Sequence, residues 1–101
     1  MKKIVKFGGS SLADATQFKK VAKIIKSDES RRFVVPSAPG KRFSEDIKVT
    51  DLLYQAYNAK DNKTFETIFN QIKHRFQNII DELNLDLSLE NEFKVIKKAF
   101  L

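Results

Sequence analysis

The order of three segments near the N-terminus limits the possible folds of this sequence more than any other feature. Residues 4–7 (IVKF) are a short β-prone run that ends at Gly8-Gly9. Apolar residues then recur near helical spacing until about Ser27-Asp28, and residues 32–35 (RFVV), closed by Pro36, are a second β-prone run. A strand, a helix and a strand in this order form a βαβ unit, so we predict an α/β fold with two parallel strands in one sheet.

Four segments have the apolar period of amphipathic helices. The first begins at Ser11, with Asp14 three residues later in a capping-box-like arrangement, and the second follows a capping Thr50 and extends to about Ala59. We place the third at residues 63–83 and the fourth after Ser88. The core positions predicted for the last three helices are Leu52, Leu53, Ala56, Tyr57, Phe65, Ile68, Phe69, Ile72, Phe76, Ile79, Ile80, Leu83, Phe93, Ile96 and Phe100.

The composition excludes several kinds of site. The chain has 101 residues, enough for one domain, and no apolar run approaches the roughly 20 residues that span a bilayer. It has no cysteine and one histidine, His74, which argues against disulfides, a thiolate nucleophile, a His-based metal site and a serine triad. We expect His74 in solvent. The absence of cysteine is in keeping with a cytoplasmic protein.

Basic residues are concentrated in the N-terminal part of the chain. Residues 1–42 contain eleven Lys and Arg and three Asp and Glu. Residues 43–101 contain eight Lys and Arg and ten Asp and Glu. This asymmetry suggests an anionic partner, such as a phosphorylated ligand, a nucleic acid or an acidic membrane surface. For four lysines of the first helix, a solvated face is favoured over nucleic-acid binding: Lys19, Lys20, Lys23 and Lys26.

Residues 37–49 have no clean period and contain Pro39-Gly40, so we predict a loop that is functional or mobile. It carries two adjacent cations, Lys41 and Arg42, which could contact nucleotide phosphates. A solvent-facing role is favoured for both, because loop lysines and arginines usually have one.

A strand that ends in a glycine pair before a helix suits a phosphate group. Glycine lets an anion approach backbone N–H groups, Lys6 can place an ammonium group beside it, and Ser10 and Ser11 add hydroxyls. The spacing is neither that of the P-loop nor that of the Rossmann fingerprint. On these grounds alone, a plain strand–helix turn is the favoured alternative.

Three blocks of sequence resemble the aspartate kinases. Residues 4–12 (IVKFGGSSL) fit every position of that family's signature, residues 34–38 (VVPSA) resemble its next strand end, and residues 50–53 (TDLL) resemble the start of its next helix. In some relatives the connection between Ser37 and Thr50 is much shorter. The resemblance covers residues 1–57 by motif and the rest by helical pattern alone.

The resemblance implies a partial three-layer α-β-α sandwich of the amino acid kinase fold. It implies transfer of the γ-phosphoryl group of Mg-ATP to the side-chain carboxylate of L-aspartate, the first step towards lysine, threonine and methionine. Lys6 would contact the transferred phosphoryl group, and Ser37 would face the same site. Gly8, Gly9, Ser10 and Ser11 would line the phosphate and aspartate sites, and Thr50 would contact the amino acid. No metal ligand is identified in the chain.

The resemblance also implies that residues 1–101 are the N-terminal part of a kinase domain, with the rest of that domain and the regulatory ACT domains absent. We therefore expect this chain to be inactive alone. We expect a homo-oligomer for the full-length enzyme, and self-association of this chain through an open sheet edge and the apolar surface near Phe100-Leu101. Two other hypotheses are a small basic nucleic-acid-binding module and another relative, such as glutamate 5-kinase or acetylglutamate kinase. Phe7 before the glycine pair argues against such a relative.

Overall fold

The computed structural model describes residues 1–100, which form two compact units, Met1–Thr50 and a second that begins at Asp51. In the first unit, strand β1 (Lys3–Phe7) pairs in parallel with strand β2 (Arg31–Pro36), and helix α1 (Ala15–Lys26) connects them. The predicted βαβ unit is therefore confirmed. In the register of the sheet, Lys6 lies opposite Val35 and Phe7 opposite Pro36, so both strands end at the same edge.

Helix α1 begins later than the sequence predicted. Ser11 belongs to a short 3-10 helix (Gly9–Leu12), and the N-cap of α1 is Asp14, whose carboxylate accepts a hydrogen bond of 3.0 Å from the N–H of Gln17. The prediction of a cap at Ser11 is wrong because the chain first makes a tighter turn over the glycine pair. The predicted end near Ser27 is confirmed, since Ser27 is the C-cap.

Polar contacts tie the end of α1 to both strands. Asp28 accepts hydrogen bonds from the hydroxyl and the N–H of Ser30, at 2.6 and 2.9 Å, and from the ammonium group of Lys3 at 2.9 Å. These contacts, that of the Ser30 hydroxyl first, hold the pKa of Asp28 well below its usual range. Arg31 donates to the carbonyl of Ile24 and to the Ser27 hydroxyl, where a cation suits the C-terminal end of a helix.

Residues 37–48 contain no helix or strand, which confirms the predicted loop of residues 37–49 except at Val49, where helix α2 (Val49–Tyr57) begins. Thr50 lies inside the first turn of α2, so the prediction that it caps the helix is wrong. Leu52 and Ala56 are buried as expected. Tyr57 is 76% exposed, contrary to prediction, because it is the last residue of the helix.

The second unit contains helix α3 (Asn62–Glu82) and helix α4 (Glu90–Ala99). Buried apolar side chains on α3 follow the predicted stripe: Phe65, Phe69, Ile72, Ile79 and Ile80. Phe93 of α4 is also buried, and its ring meets that of Phe69 edge to face at 6.2 Å between centroids. Ion pairs at the surface join the same helices: Lys97–Glu66 at 2.5 Å and Lys73–Glu90 at 3.7 Å.

Helix α3 ends in a Schellman motif that the sequence analysis did not predict. The N–H of Leu85 donates to the carbonyl of Ile80 and the N–H of Asn84 to that of Asp81, both at 3.1 Å. Asn84 has a φ of 54°, a left-handed conformation that asparagine tolerates better than most residues. This motif turns the chain out of α3 towards α4.

The last helix differs from prediction in two respects. Ser88 does not open it, because α4 begins at Glu90 after Leu89, although the Ser88 hydroxyl accepts a hydrogen bond of 3.3 Å from the N–H of Glu90. Ile96 is 42% exposed rather than buried. Phe100 is half-buried, and its ring lies 5.5 Å from that of Phe65 between centroids. Leu101 lies outside the described residues, and self-association stays a prediction.

Candidate functional site

The candidate site lies at the edge where β1 and β2 end. Lys6 is the penultimate residue of β1 and its side chain is exposed. Ser37 follows the last residue of β2, is exposed, and donates its N–H to the carbonyl of Phe7 at 3.0 Å. The parallel pairing thus places Ser37 beside the point where β1 leads into the glycine pair, and its role in a ligand site stays a prediction.

The two glycines of the pair have different surroundings. A Cβ built on Gly8 meets no atom within 4 Å, so this residue faces open space. A Cβ built on Gly9 lies 3.1 Å from the carbonyl oxygen of Ala38 and 3.2 Å from the Cα of Gly40. Gly8 is therefore the glycine that leaves room for a ligand, while Gly9 packs against the loop.

The serines lie in the 3-10 helix rather than at the start of α1. Ser10 is exposed, and the half-buried Ser11 donates its N–H to the carbonyl of Gly8 at 3.1 Å. The pattern of a glycine pair before a helix suggested that the N-terminus of α1 could bind a phosphate. In the structure, the carboxylate of Asp14 caps that N-terminus instead. That expectation is corrected: the available donors are the N–H groups of the glycine turn (Gly8, Gly9 and Ser10) and the Lys6 ammonium group.

Thr50 is not brought to this edge by any contact found among the described residues. It is exposed in the first turn of α2, where the N–H of its neighbour Val49 donates to the carbonyl of Pro39 at 3.0 Å. Its assigned contact with an amino acid stays a prediction.

The loop of residues 37–48 is closed by an ion pair. The guanidinium of Arg42 donates to Asp46 through Nε at 2.6 Å and Nη2 at 3.0 Å, and its N–H donates to the same carboxylate at 3.0 Å. The Arg42 side-chain hydrogen bonds hold the pKa of Asp46 well below its usual range. Arg42 thus has a partner within the loop, whereas Lys41 is exposed.

Sequence reasoning missed the role of Gly40 and considered it only as a break in periodicity. Its N–H donates to the carbonyl of Gly9 at 2.8 Å, and both Pro39 and Gly40 are buried. The available signal was a second glycine-containing turn shortly after the second strand of a parallel pair, where two loops leave the same edge of the sheet.

Other candidates lie away from this edge. His74 is exposed on α3, as expected, and the lysines of α1 lie in solvent: Lys19, Lys20, Lys23 and Lys26. Among residues 1–100 there is no group of three or more His, Asp or Glu placed to hold a metal ion. No helix in the same residues is long and apolar enough to cross a membrane.

Comparison with known proteins places this geometry in a family. Residues 1–96 match the model of the amino acid kinase family. Aspartokinase 3 of Bacillus subtilis is 44% identical over 90 residues, which cover 86% of this chain and 19% of that protein. A bifunctional aspartokinase/homoserine dehydrogenase of Buchnera aphidicola is 34% identical over 97% of this chain and 12% of its own length.

Two solved structures share the fold. Aspartate kinase of Clostridium acetobutylicum superposes with a TM-score of 0.88 at 46% identity, covering 96% of this chain and 23% of that one. Aspartokinase III of E. coli, in complex with aspartate and ADP, superposes with a TM-score of 0.76 at 23% identity. The match covers 98% of this chain and 21% of that one.

The strand pair and the glycine turn are thus those of a kinase fold, and the chain belongs to the amino acid kinase family. The relatives that it matches are aspartate kinases, and it spans about a fifth or less of their length. The α/β fold predicted from the sequence is confirmed by the aspartate kinase structure.

Proposed function

We propose that this chain is the N-terminal part of the catalytic domain of an aspartate kinase. The whole protein would transfer the γ-phosphoryl group of ATP to the side-chain carboxylate of L-aspartate and form 4-phospho-L-aspartate, the first step towards lysine, threonine and methionine. Identities of 44% and 46% to aspartate kinases over most of the chain support this reaction above others of the family.

One observation carries the assignment of the phosphate site: no atom lies within 4 Å of a Cβ built on Gly8, at the edge where β1 ends after Lys6 and β2 ends before Ser37. Phosphoryl transfer depends on positioning and on neutralising charge on the transferred group. Lys6 would contact that group and stabilise the charge that develops in the transition state. The backbone of Gly8 and Gly9 would donate to phosphate oxygens.

The serines and the threonine would complete the two ligand sites. Ser10 and Ser37 would bind ATP phosphates, since both are exposed, Ser10 in the glycine turn and Ser37 directly after β2. Ser10 and Ser11 would also approach the aspartate, and Thr50 would contact it from α2. Mg²⁺ would enter on the ATP phosphates, and we assign no residue of this chain to it.

The proposal includes the setting of the reaction. The rest of the kinase domain and the regulatory domains would supply the remaining contacts to aspartate and adenine, and this chain alone would be inactive. The complete enzyme would be a homo-oligomer in the cytoplasm, a reducing compartment that suits a cysteine-free chain.

The test is a chimera in which residues 1–96 replace the matched segment of the Clostridium acetobutylicum enzyme. Hydroxylamine traps the acyl phosphate product, so aspartate-dependent hydroxamate formation measures turnover. We expect the chimera to be active and Lys6→Ala to lower kcat by about 10²–10³-fold, the usual cost of losing one charge-stabilising group. Lys20→Ala, at an exposed lysine on α1, is the matched control and should leave kcat unchanged.

Two results would contradict the proposal. A folded chimera with no aspartate-dependent turnover would refute the reaction. Near-normal kcat in the Lys6→Ala chimera would refute the role of Lys6 and leave the reaction standing.

A further inference from the structure

Three successive carbonyl groups of the glycine turn are held by hydrogen bonds. The carbonyl of Phe7 accepts from the N–H of Ser37 at 3.0 Å, and that of Gly8 accepts from the N–H of Ser11 at 3.1 Å. The carbonyl of Gly9 accepts from the N–H of Gly40 at 2.8 Å. Each peptide plane from Phe7 to Ser10 is therefore fixed through its oxygen.

Fixing these oxygens also fixes the N–H groups that follow them. The described chain has no cis peptide bond, and in a trans peptide the N–H points opposite to the carbonyl of the preceding residue. The N–H groups of Gly8, Gly9 and Ser10 thus point away from their carbonyl partners. Among the hydrogen bonds found for residues 1–100, none is donated by these three groups.

The contact that fixes the third plane requires glycine at position 40. A Cβ built on Gly40 would lie 2.6 Å from the carbonyl carbon of Gly9 and 2.8 Å from both its oxygen and the N of Ser10. Cβ contacts shorter than 3.0 Å to backbone atoms force the backbone to move. Because φ of Gly40 is not positive, the cause is close approach rather than backbone conformation.

Contacts made by loop residues before and after Gly40 in the sequence hold it against the glycine turn. Before it, the carbonyl of Pro39 accepts from the N–H of Val49 at 3.0 Å. After it, Arg42 and Asp46 close the loop through their bidentate ion pair. Gly40 is buried between these two contacts, so the turn is braced by a segment that is itself held in place.

We propose that Gly40 is a positioning residue for the phosphate site: it holds the Gly9 peptide so that the amides of the glycine turn converge on ATP phosphates. The kinetic part of this inference rests on the proposed function. The geometric part, the orientation of the peptide group between Gly9 and Ser10, does not depend on it.

The kinetic experiment uses Gly40→Ala in the chimera, with Ser44→Ala, at an exposed residue of the same loop, as control. We expect kcat/KM for ATP to fall about 10–100-fold, with a raised KM for ATP and a smaller change in KM for aspartate, because small displacements of binding groups cost this much. A purely structural role would lower kcat through the folded fraction and leave KM for ATP unchanged, which would overturn the proposal. Ser44→Ala should match the parent.

The geometric experiment uses the 101-residue chain and needs no ligand. In amide NMR spectra, Gly40→Ala should shift the peaks of Gly9 and Ser10 more than those elsewhere in the first unit, and Ser44→Ala should not. Unmoved Gly9 and Ser10 peaks would overturn the proposal. A folded but inactive parent chimera, with shifted Gly9 and Ser10 peaks in the Gly40→Ala chain, would refute the reaction while supporting the role of Gly40.

Gly9→Ala covers the case in which Gly40→Ala does not fold. This substitution adds a methyl group at the same Gly9–Gly40 contact, on the other residue of the pair. Its Cβ lies no closer than 3.1 Å to any atom, so a shift of a few tenths of an ångström accommodates it. We expect a raised KM for ATP and a shifted Ser10 peak in this variant relative to the parent. A folded Gly9→Ala chimera with parental KM for ATP would overturn the proposal.

Discussion

Arg42 and Asp46 form a bidentate ion pair across one turn of the loop, with Nε to Oδ2 at 2.6 Å and Nη2 to Oδ1 at 3.0 Å. The carboxylate also accepts the N–H of Arg42, so side chain and backbone are held together. The Asp46 side chain is only 10% exposed, whereas that of Arg42 is 35% exposed. A loop with no helix or strand thus has a local anchor that helps to define its path.

We predict that Asp46→Asn lowers the free energy of unfolding by about 1 kcal/mol at pH 7, a value between those of surface ion pairs and charged hydrogen bonds. Because the pKa of Asp46 is lowered in the folded chain, its ionised form stabilises the fold at all pH values above the usual aspartate pKa. Below that value the unfolded chain takes up the proton first, so the difference between parent and variant should shrink as pH falls. Urea unfolding followed by circular dichroism at pH 7 and pH 3 measures it.

Glu45→Gln is the matched control for Asp46→Asn, because Glu45 is the exposed neighbour in the same loop. It should change stability by less than about 0.5 kcal/mol at either pH. An equal loss for both variants, or a gap for Asp46→Asn that widens in acid, would contradict the account of the ion pair.

The difference between Gly8 and Gly9 leads to a prediction about ligand binding. Gly8→Ala should raise the free energy of unfolding by a few tenths to about 1 kcal/mol, because its Cβ meets no atom, its φ of −75° suits alanine, and alanine makes the unfolded chain less flexible. In the chimera it should raise KM for ATP, because the new methyl group enters the space assigned to phosphate. Thermal unfolding and ATP kinetics measure the two effects separately. Gly8→Ala with parental KM for ATP would show that the phosphate lies elsewhere.

The sequence predicted the parts of the fold that local pattern determines. The βαβ order followed from two β-prone runs around a helical period, and the α3 stripe from Phe65 to Ile80 followed from spacing alone. Element bounds were less accurate: the 3-10 helix at Gly9–Leu12 moved the start of α1 to Ala15. A serine at position 11 is compatible with the first turn of an α-helix and with a 3-10 turn, so the residue type there does not distinguish the two.

The candidate site was predicted only in part. Lys6 and Gly8 were proposed from the pattern of a strand that ends in a glycine pair, and Ser37 from the resemblance to aspartate kinases; parallel pairing brings the ends of both strands to one edge of the sheet. Gly40 could not be assigned from sequence, because its contact with Gly9 joins positions 31 residues apart and depends on the path of an irregular loop. Such contacts carry no periodic signal.

The corrected start of α1 is testable by mutation. Asp14→Ala should destabilise the chain by about 1 kcal/mol, because it removes the acceptor for the N–H of Gln17. Asp14→Asn keeps a capping oxygen and should recover most of that loss. Ser11→Ala should cost less than Asp14→Ala, since the Ser11 contact found here uses its backbone N–H. A larger loss for Ser11→Ala in urea unfolding would restore the capping box predicted from sequence.

The packing of the second unit gives a larger expected effect. Phe69 is 2% exposed, and its ring lies within 6.5 Å of those of Phe65, Phe93 and Phe100, measured between centroids. Phe69→Ala should lower stability by about 3–5 kcal/mol, because it removes buried area and leaves a cavity. Circular dichroism at 222 nm follows this loss, since the chain has no tryptophan. Tyr57→Ala, at an exposed aromatic, should stay within about 0.5 kcal/mol of the parent.

The end of α3 allows a stabilising substitution to be predicted. Asn84 adopts a φ of 54° at the position after the C-cap Leu83, where glycine has no steric penalty. Asn84→Gly should therefore stabilise the chain by a few tenths to about 1 kcal/mol, even though glycine makes the unfolded chain more flexible. Asn84→Ala should destabilise it by about 1 kcal/mol, because the Cβ of alanine opposes this conformation without the local hydrogen bonding of asparagine. The order of midpoints in urea, glycine above asparagine above alanine, tests the Schellman motif directly; equal midpoints would mean that the left-handed conformation is not kept in solution.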